Sequence, residues 1–248
     1  MKGCDEFTSP NDYVDKHYGV DGFGGFQIEN KEKIQLNNVK EQHGVDFIIE
    51  QVNKYPNQVT LLCLAPLTNI CKAFRKDPSL PDKVKSIVFS GGTYLAQGNT
   101  KCCCSEFNVI MDPQAAEEVF QQCQRVTMVP IEIVRSFRQV SQEYVRVPFS
   151  YRTKKGSLVY ECYKVALKNS DNIYDITDPC AVAVAFCPEV VQEYYEKSLF
   201  VEVTGKFTKG MVVVDWRDTC FEKRHHSNII AKVDLHRILE ILEDSVKE

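Results

Sequence analysis

The 248-residue sequence lacks the features that mark several large classes of protein. No apolar run reaches the roughly 18 residues that a membrane span needs, and the first residues contain no hydrophobic segment typical of a signal peptide. The 30 Lys and Arg residues are mixed with 34 Asp and Glu residues and form no basic run, which argues against nucleic acid as a main partner. We therefore expect a cytoplasmic protein that binds neither a membrane nor nucleic acid.

The short motifs of metal and nucleophile chemistry are also missing. The 11 cysteines contain no C-x-x-C spacing and the five histidines no H-E-x-x-H, which argues against a zinc site. The odd cysteine total and the adjacent Cys102, Cys103 and Cys104 predict reduced thiols and no disulfide framework. Walker, G-x-G-x-x-G and G-x-S-x-G motifs are absent as well.

Apolar segments of strand length alternate with helix-forming segments along most of the chain. With 44% hydrophobic and 26% charged residues and no repeat or linker, the pattern predicts one domain over residues 1–248, an α/β fold with a doubly wound, mostly parallel sheet covered by helices on both faces. Predicted strands lie at 59–65 (buried on both faces), 84–90, 126–133 and 228–233, with a hairpin or two short strands at 199–203 and 211–214. Predicted helices lie at 44–55, 68–76, 113–120, 157–168, 180–186 and 235–242.

Three helix starts carry residues typical of N-caps. Asp112 and Asp178 each precede a proline, which favours the first helical position. Thr68 can cap the helix that ends before Asp77. From the residues alone, Asp178 is therefore predicted to be a helix cap, and its spacing alone does not make it a ligand.

The loop at 98–108 follows a predicted strand, where ligands bind in open α/β sheets. It carries Asn99, Glu106 and Asn108, with Phe107 between the last two. Amides supply hydrogen-bond donors and acceptors and a carboxylate accepts O–H bonds, a combination that suits vicinal sugar hydroxyls. The alternative is that these side chains satisfy the backbone of an exposed loop through local turns.

Six blocks in order resemble the inosine/uridine-preferring nucleoside hydrolase family. They are residues 65–70 (APLTNI), 90–92 (SGG), 98–99 (GN), 105–113 (SEFNVIMDP), 177–182 (TDPCAV) and 204–217 (TGKFTKGMVVVDWR), and the stretch 21–24 (DGFG) resembles the family's mobile loop. The resemblance implies hydrolysis of the N-glycosidic bond of a ribonucleoside to ribose and free base, through an oxocarbenium-like transition state. The expected ligand is a ribonucleoside or ribose, and formation of a homo-oligomer is left open.

The resemblance also implies roles for individual residues. Asn99, Glu106 and Asn108 take the positions of the ribose contacts, with Phe107 beside the sugar or base. The family uses a Ca²⁺ ion to orient the attacking water. In this chain Asp178 and the backbone carbonyl of Thr68 would be ligands of that ion.

This sequence departs from the family pattern in ways that bear on activity. The family's opening strand and helix, with their D-x-D-x-G-x-D-D loop, have no counterpart in this sequence, so the general base and two metal carboxylates are not matched. We therefore expect weak or absent Ca²⁺ binding by this chain. Thr177 replaces a His that protonates the leaving base, and a Thr hydroxyl is no acid near neutral pH. Tyr18 replaces a loop His, beside His17, and the stretch 131–135 (IEIVR) replaces a His-bearing one.

We therefore expect a nucleoside hydrolase-type chain that is inactive or impaired. The alternatives are a ribosyl-binding protein that does not cleave its ligand and a structural protein that retains the fold.

Overall fold

The computed structural model describes residues 2–4, 18–19, 24, 41–140, 153–169, 176–220, 222 and 224–247, with the backbone alone at 137–140. Its helices are α1 (Gly44–Lys54), α2 (Thr68–Lys76), α3 (Leu80–Lys83), α4 (Phe107–Met111), α5 (Pro113–Gln122), α6 (Glu132–Val140), α7 (Lys154–Asn169), α8 (Thr177–Phe186) and α9 (Leu235–Ser245). Its strands are β1 (Thr60–Cys63), β2 (Ser86–Ser90), β3 (Val126–Val129), β4 (Val191–Val201), β5 (Val212–Val214) and β6 (His226–Val233). The single domain over 1–248 stays a prediction.

The six strands form one mixed sheet in the order β1-β2-β3-β6-β4-β5. The first four in that order are parallel, and Phe89 of β2 is paired with Cys63 on one side and Met128 on the other. β4 runs antiparallel to both β6 and β5. The predicted α/β class with a mostly parallel sheet is confirmed.

Helices cover both faces of the sheet because successive strand residues point to opposite sides. Ile87 and Phe89 of β2 belong to a core cluster with residues of α1, α2 and α5. Val88 between them belongs to a second cluster with residues of α6, α8 and α9. The prediction of a sheet buried on both faces therefore holds for its central strands.

The ends of the sheet differ from the prediction. β1 has only four residues, and none of them is fully buried, because β1 is the edge strand of the described sheet. An apolar run does not reveal whether a strand is central or at an edge, so the expectation of burial on both faces was wrong for this segment. β4 begins eight residues before the predicted strand at 199, with a mostly exposed first half that runs along β6.

Of the three predicted N-cap residues, the structure confirms Asp112 and not Thr68 or Asp178. Asp112 is the N-cap of α5, and its Oδ1 accepts a hydrogen bond from Ala115 N over 3.1 Å. Thr68 makes no cap, because Leu67 takes that position and the Thr68 hydroxyl donates to Asp112 Oδ2 over 2.6 Å. Asp178 is not a cap either, since α8 begins at Thr177 with Ile176 before it.

The hydrogen bond between Thr68 and Asp112 joins the starts of α2 and α5, and both side chains are buried. Replacing Thr68 by the isosteric Val removes a donor to a buried carboxylate, so we expect Thr68→Val to lower the free energy of unfolding by roughly 2 kcal/mol. Urea denaturation measures this. Thr60→Val is the matched control at the exposed first position of β1, where we expect a change below about 0.5 kcal/mol. Equal effects of the two substitutions would contradict the proposed contribution.

Candidate functional site

A cavity of about 360 Å³ opens at the carboxyl ends of the first parallel strands. Leu64 follows β1, Ser90 ends β2 and Ile131 follows β3, and all three line the cavity. The other lining residues come from loops and helix starts, and they are Tyr18, Asn99, Glu106, Phe107, Asn108, Tyr163, Thr177 and Asp178. The volume is within the range of small-molecule sites. All the predicted ribose-contact positions, with Asp178 and Thr177, meet in one place.

Glu106 lines the cavity and is only 6% exposed. It is the N-cap of α4, where Oε1 accepts from Asn108 N, and Oε2 accepts from Asn108 N and Val109 N. Oε2 also accepts from Gly92 N over 2.9 Å. Gly92 has a φ of 82°, a conformation that favours glycine, and a Cβ there would lie 2.7 Å from Met128 Sδ.

These contacts determine what Glu106 can offer a ligand. Each carboxylate oxygen has about two acceptor positions, so backbone N–H groups saturate Oε2 and leave Oε1 with capacity for one more donor. Burial raises the pKa of Glu106 to about 7, and the nearby Asp178 charge acts in the same direction, whereas the backbone N–H groups lower it.

The two asparagines are held by contacts with neighbouring backbone. Asn99 Oδ1 accepts from Phe107 N over 3.0 Å, and Asn108 Nδ2 donates to Ser90 O over 2.9 Å. The amide nitrogen of Asn99 and the amide oxygen of Asn108 make no hydrogen bond to other described residues. The pair therefore presents donors and an acceptor at the cavity, as vicinal hydroxyls require.

Asp178 lies in the first turn of α8, where its Oδ1 accepts from the Ser90 hydroxyl over 2.7 Å. Thr177 is the first residue of α8 and also lines the cavity. Tyr18 and Tyr163 form an edge-to-face pair on the cavity wall, with ring centroids 5.7 Å apart. His17 and residues 21–23 of the loop resembling the family's mobile loop lie outside the described residues.

The loop that carries Asn99 is held from two directions. At the start of α6, Glu132 Oε1 accepts from Thr93 Oγ1 over 2.5 Å and from Leu95 N, and Arg135 Nη2 donates to Gly98 O over 2.9 Å. On its other side, Ser105 Oγ donates to Gly210 O over 2.9 Å. Arg135, the last residue of the stretch that replaces a His-bearing one, therefore holds the site loop through the backbone carbonyl of Gly98.

The thiols of the same loop face the segment between β4 and β5. Cys104 Sγ donates to Phe207 O over 3.2 Å and Cys102 Sγ to Lys209 O over 3.3 Å. All 11 cysteines are free thiols, as predicted.

The described residues do not fit the expected Ca²⁺ site. Ca²⁺ takes six to eight oxygen ligands, whereas no group of three His, Cys, Asp or Glu side chains converges within the described ranges. Asp178 already has one oxygen bonded to Ser90. Thr68, whose carbonyl was the other expected ligand, does not line the cavity. The residue that lines it directly after β1 is Leu64.

Sequence reasoning missed Leu64, Ser90 and Tyr163 as cavity residues. The rule that ligands bind beyond the carboxyl ends of strands would have selected Leu64 and Ser90, since both lie at strand ends. No local signal marks Tyr163, which reaches the cavity from the middle of a long helix.

The fold and the cavity define an α/β protein with a polar ligand site at the carboxyl end of a parallel sheet. A family model described as inosine-uridine preferring nucleoside hydrolase matches residues 1–240, so the chain belongs to that family. None of the helices in the described ranges combines the length and apolar character of a membrane span.

Relatives agree with this assignment. The chain is 32% identical over 217 residues to an inosine-uridine preferring nucleoside hydrolase of Crithidia fasciculata, covering 85% of this chain and 67% of that protein. It is 35% identical over 212 residues to probable uridine nucleosidase 2 of Oryza sativa subsp. japonica, covering 82% and 56%. The chain thus spans between about half and two thirds of these two proteins.

Solved structures share the fold. An inosine-guanosine nucleoside hydrolase superposes with a TM-score of 0.81 at 25% identity, covering 99% of this chain and 79% of that one. A plant nucleoside hydrolase superposes with a TM-score of 0.80 at 22% identity, covering 98% and 78%.

The raised pKa of Glu106 makes stability depend on pH. Between pH 4.5 and about 7 the unfolded chain has lost this proton while the folded chain keeps it, so the free energy of unfolding falls as pH rises through that window. Glu106→Gln cannot titrate, and its stability should rise relative to wild type by up to about 3 kcal/mol between pH 4.5 and 8. Urea denaturation at a series of pH values measures the difference.

Glu118→Gln is the control for this experiment. The Arg75 guanidinium lowers the pKa of Glu118 to about 2, so Glu118 is ionised in both states above pH 5 and its variant should keep a constant difference from wild type from pH 5 to 8. A pH-independent difference for Glu106→Gln over the same range would contradict the raised pKa.

Proposed function

We propose that the cavity binds the ribose of a ribonucleoside and that the chain has the nucleoside N-ribohydrolase type of activity, with low turnover of inosine and uridine. The observation that carries the proposal is the convergence of Asn99, Glu106, Asn108 and Asp178 at the carboxyl end of the parallel sheet. Family membership supports the ribonucleoside as substrate class. Cytoplasmic location and the oligomeric state stay predictions.

The polar side chains supply complementary contacts for ribose hydroxyls. Asn99 offers N–H donors, Asn108 an amide oxygen, and Glu106 Oε1 one acceptor position. Phe107 and the pair of Tyr18 and Tyr163 supply apolar and aromatic surface for the other part of a nucleoside, the flat base.

The described residues explain why we expect low turnover. Departure of a purine or uracil base is helped by an acid, and Thr177 has no acidic proton near neutral pH. Ca²⁺, which the family resemblance implies as the ion that activates water, is not assigned to the described residues, because they supply too few carboxylates. We therefore assign no metal-dependent step to them.

The same observations favour a second candidate function, ribosyl binding without cleavage. In that case the ribose contacts persist while the groups that activate water and protonate the base are lacking. Turnover measurements separate the two functions, because both require binding but only the first releases a base.

The binding proposal predicts that Asn99→Ala weakens uridine binding about tenfold, since the variant loses an N–H donor to a ribose hydroxyl. Isothermal titration calorimetry with uridine, inosine and ribose measures the affinities. Asn53→Ala is the matched control, because Asn53 is an exposed residue of α1 whose side chain bonds only surface groups. Equal affinities of wild type, Asn99→Ala and Asn108→Ala would refute the assignment of the ribose contacts.

The role of position 177 predicts a change in substrate preference. Nitrophenolate leaves without protonation, so 4-nitrophenyl riboside should be hydrolysed faster than inosine, and Thr177→His should raise kcat/KM for inosine by about 10²-fold more than for the nitrophenyl substrate. Thr177→Ser is the control and should keep the wild-type ratio. Rapid inosine hydrolysis by wild type, or an unchanged ratio in Thr177→His, would contradict this role.

A further inference from the structure

Ser90 contacts two of the polar cavity residues through different atoms. Its hydroxyl donates to Asp178 Oδ1 over 2.7 Å, and its carbonyl oxygen accepts from Asn108 Nδ2 over 2.9 Å. Asp178 is 88 residues away along the chain. Ser90 therefore joins the start of α8 and the start of α4 to the end of β2.

The position of Ser90 gives both contacts a rigid base. Ser90 is 1% exposed and is the last residue of a central strand. On that strand the preceding residue Phe89 is paired on both sides, so the backbone has little freedom to move. A hydroxyl anchored in this way limits the rotamers of the Asp178 carboxylate.

The single hydroxyl proton of Ser90 is already used in a hydrogen bond within the protein. A serine hydroxyl has one proton, and here that proton is directed to Asp178. The Ser90 hydroxyl therefore has no further proton to donate to a ligand.

We propose that Ser90 is a positioning residue of the nucleoside site, whose hydroxyl holds Asp178 in the orientation that receives the ribose. The inference rests on the proposed function and assigns a role to a residue outside the ribose-contact set. The Asp178 bond needs a hydroxyl at this position, whereas the Asn108 bond needs only the backbone. Substitution of the side chain therefore tests the Asp178 bond alone.

Uridine affinity measured by calorimetry tests the proposal, with melting temperature as the check on folding. We expect Ser90→Ala to bind uridine about tenfold more weakly, because a hydrogen bond to a charged carboxylate is lost. Ser90→Cys, which is nearly isosteric and a weak donor, should lie between alanine and wild type. Ser86→Ala is the matched control at the other end of β2, where Ser86 Oγ lies 3.0 Å from Thr60 Oγ1, and it should bind as wild type does.

A double-mutant cycle distinguishes positioning from direct contact. If Ser90 acts through the Asp178 charge, Ser90→Ala should lose less affinity in an Asp178→Asn background than in wild type, because a neutral amide oxygen is a weaker acceptor. Equal losses in both backgrounds, or wild-type affinity in Ser90→Ala, would overturn the role of Ser90 and leave the proposed function intact. Absence of uridine and ribose binding by wild type would overturn the proposed function and the role of Ser90 with it.

Discussion

The geometry of the cavity depends on the burial of one carboxylate, that of Glu106, among backbone N–H groups. Those groups belong to the turn after β2 and to the first turn of α4. The five residues of α4 give it little stability of its own, so the cap determines where the helix starts. Asn108 reaches the end of β2 and Phe107 N reaches Asn99 because the helix starts there.

Opposing interactions act on the ionised form of Glu106, and the destabilising ones are the stronger. Backbone N–H groups favour the ionised carboxylate, whereas removal from water and the charge of Asp178 disfavour it. A ligand hydroxyl at Oε1 would supply a further donor to the charged form. Binding sites commonly contain groups whose charged form is destabilised in the free protein. A group whose hydrogen-bonding positions are all occupied in the free protein would gain nothing from a ligand.

Local signals in the sequence were sufficient to predict the alternation of strands and helices. They also predicted the candidate site loop at 98–108, where three polar residues share a short segment. Asp112 was predicted as an N-cap and is one. Thr68 and Asp178 have similar local contexts but bond to partners 44 and 88 residues away, and such contacts leave no trace in spacing. The role of Arg135 depends in the same way on a loop carbonyl 37 residues away, which only the folded chain brings within reach.

The loop that carries the site is attached to the segment between β4 and β5 through carbonyl acceptors of Phe207, Lys209 and Gly210. Every residue type provides a carbonyl, so side chains at 207 and 209 are free to diverge during evolution without loss of these bonds. Gly210 is the exception, since its φ of 78° favours glycine and a Cβ there would lie 2.3 Å from Ser105 Oγ. These hydrogen bonds therefore place no restriction on the side chains at positions 207 and 209, whereas position 210 favours glycine.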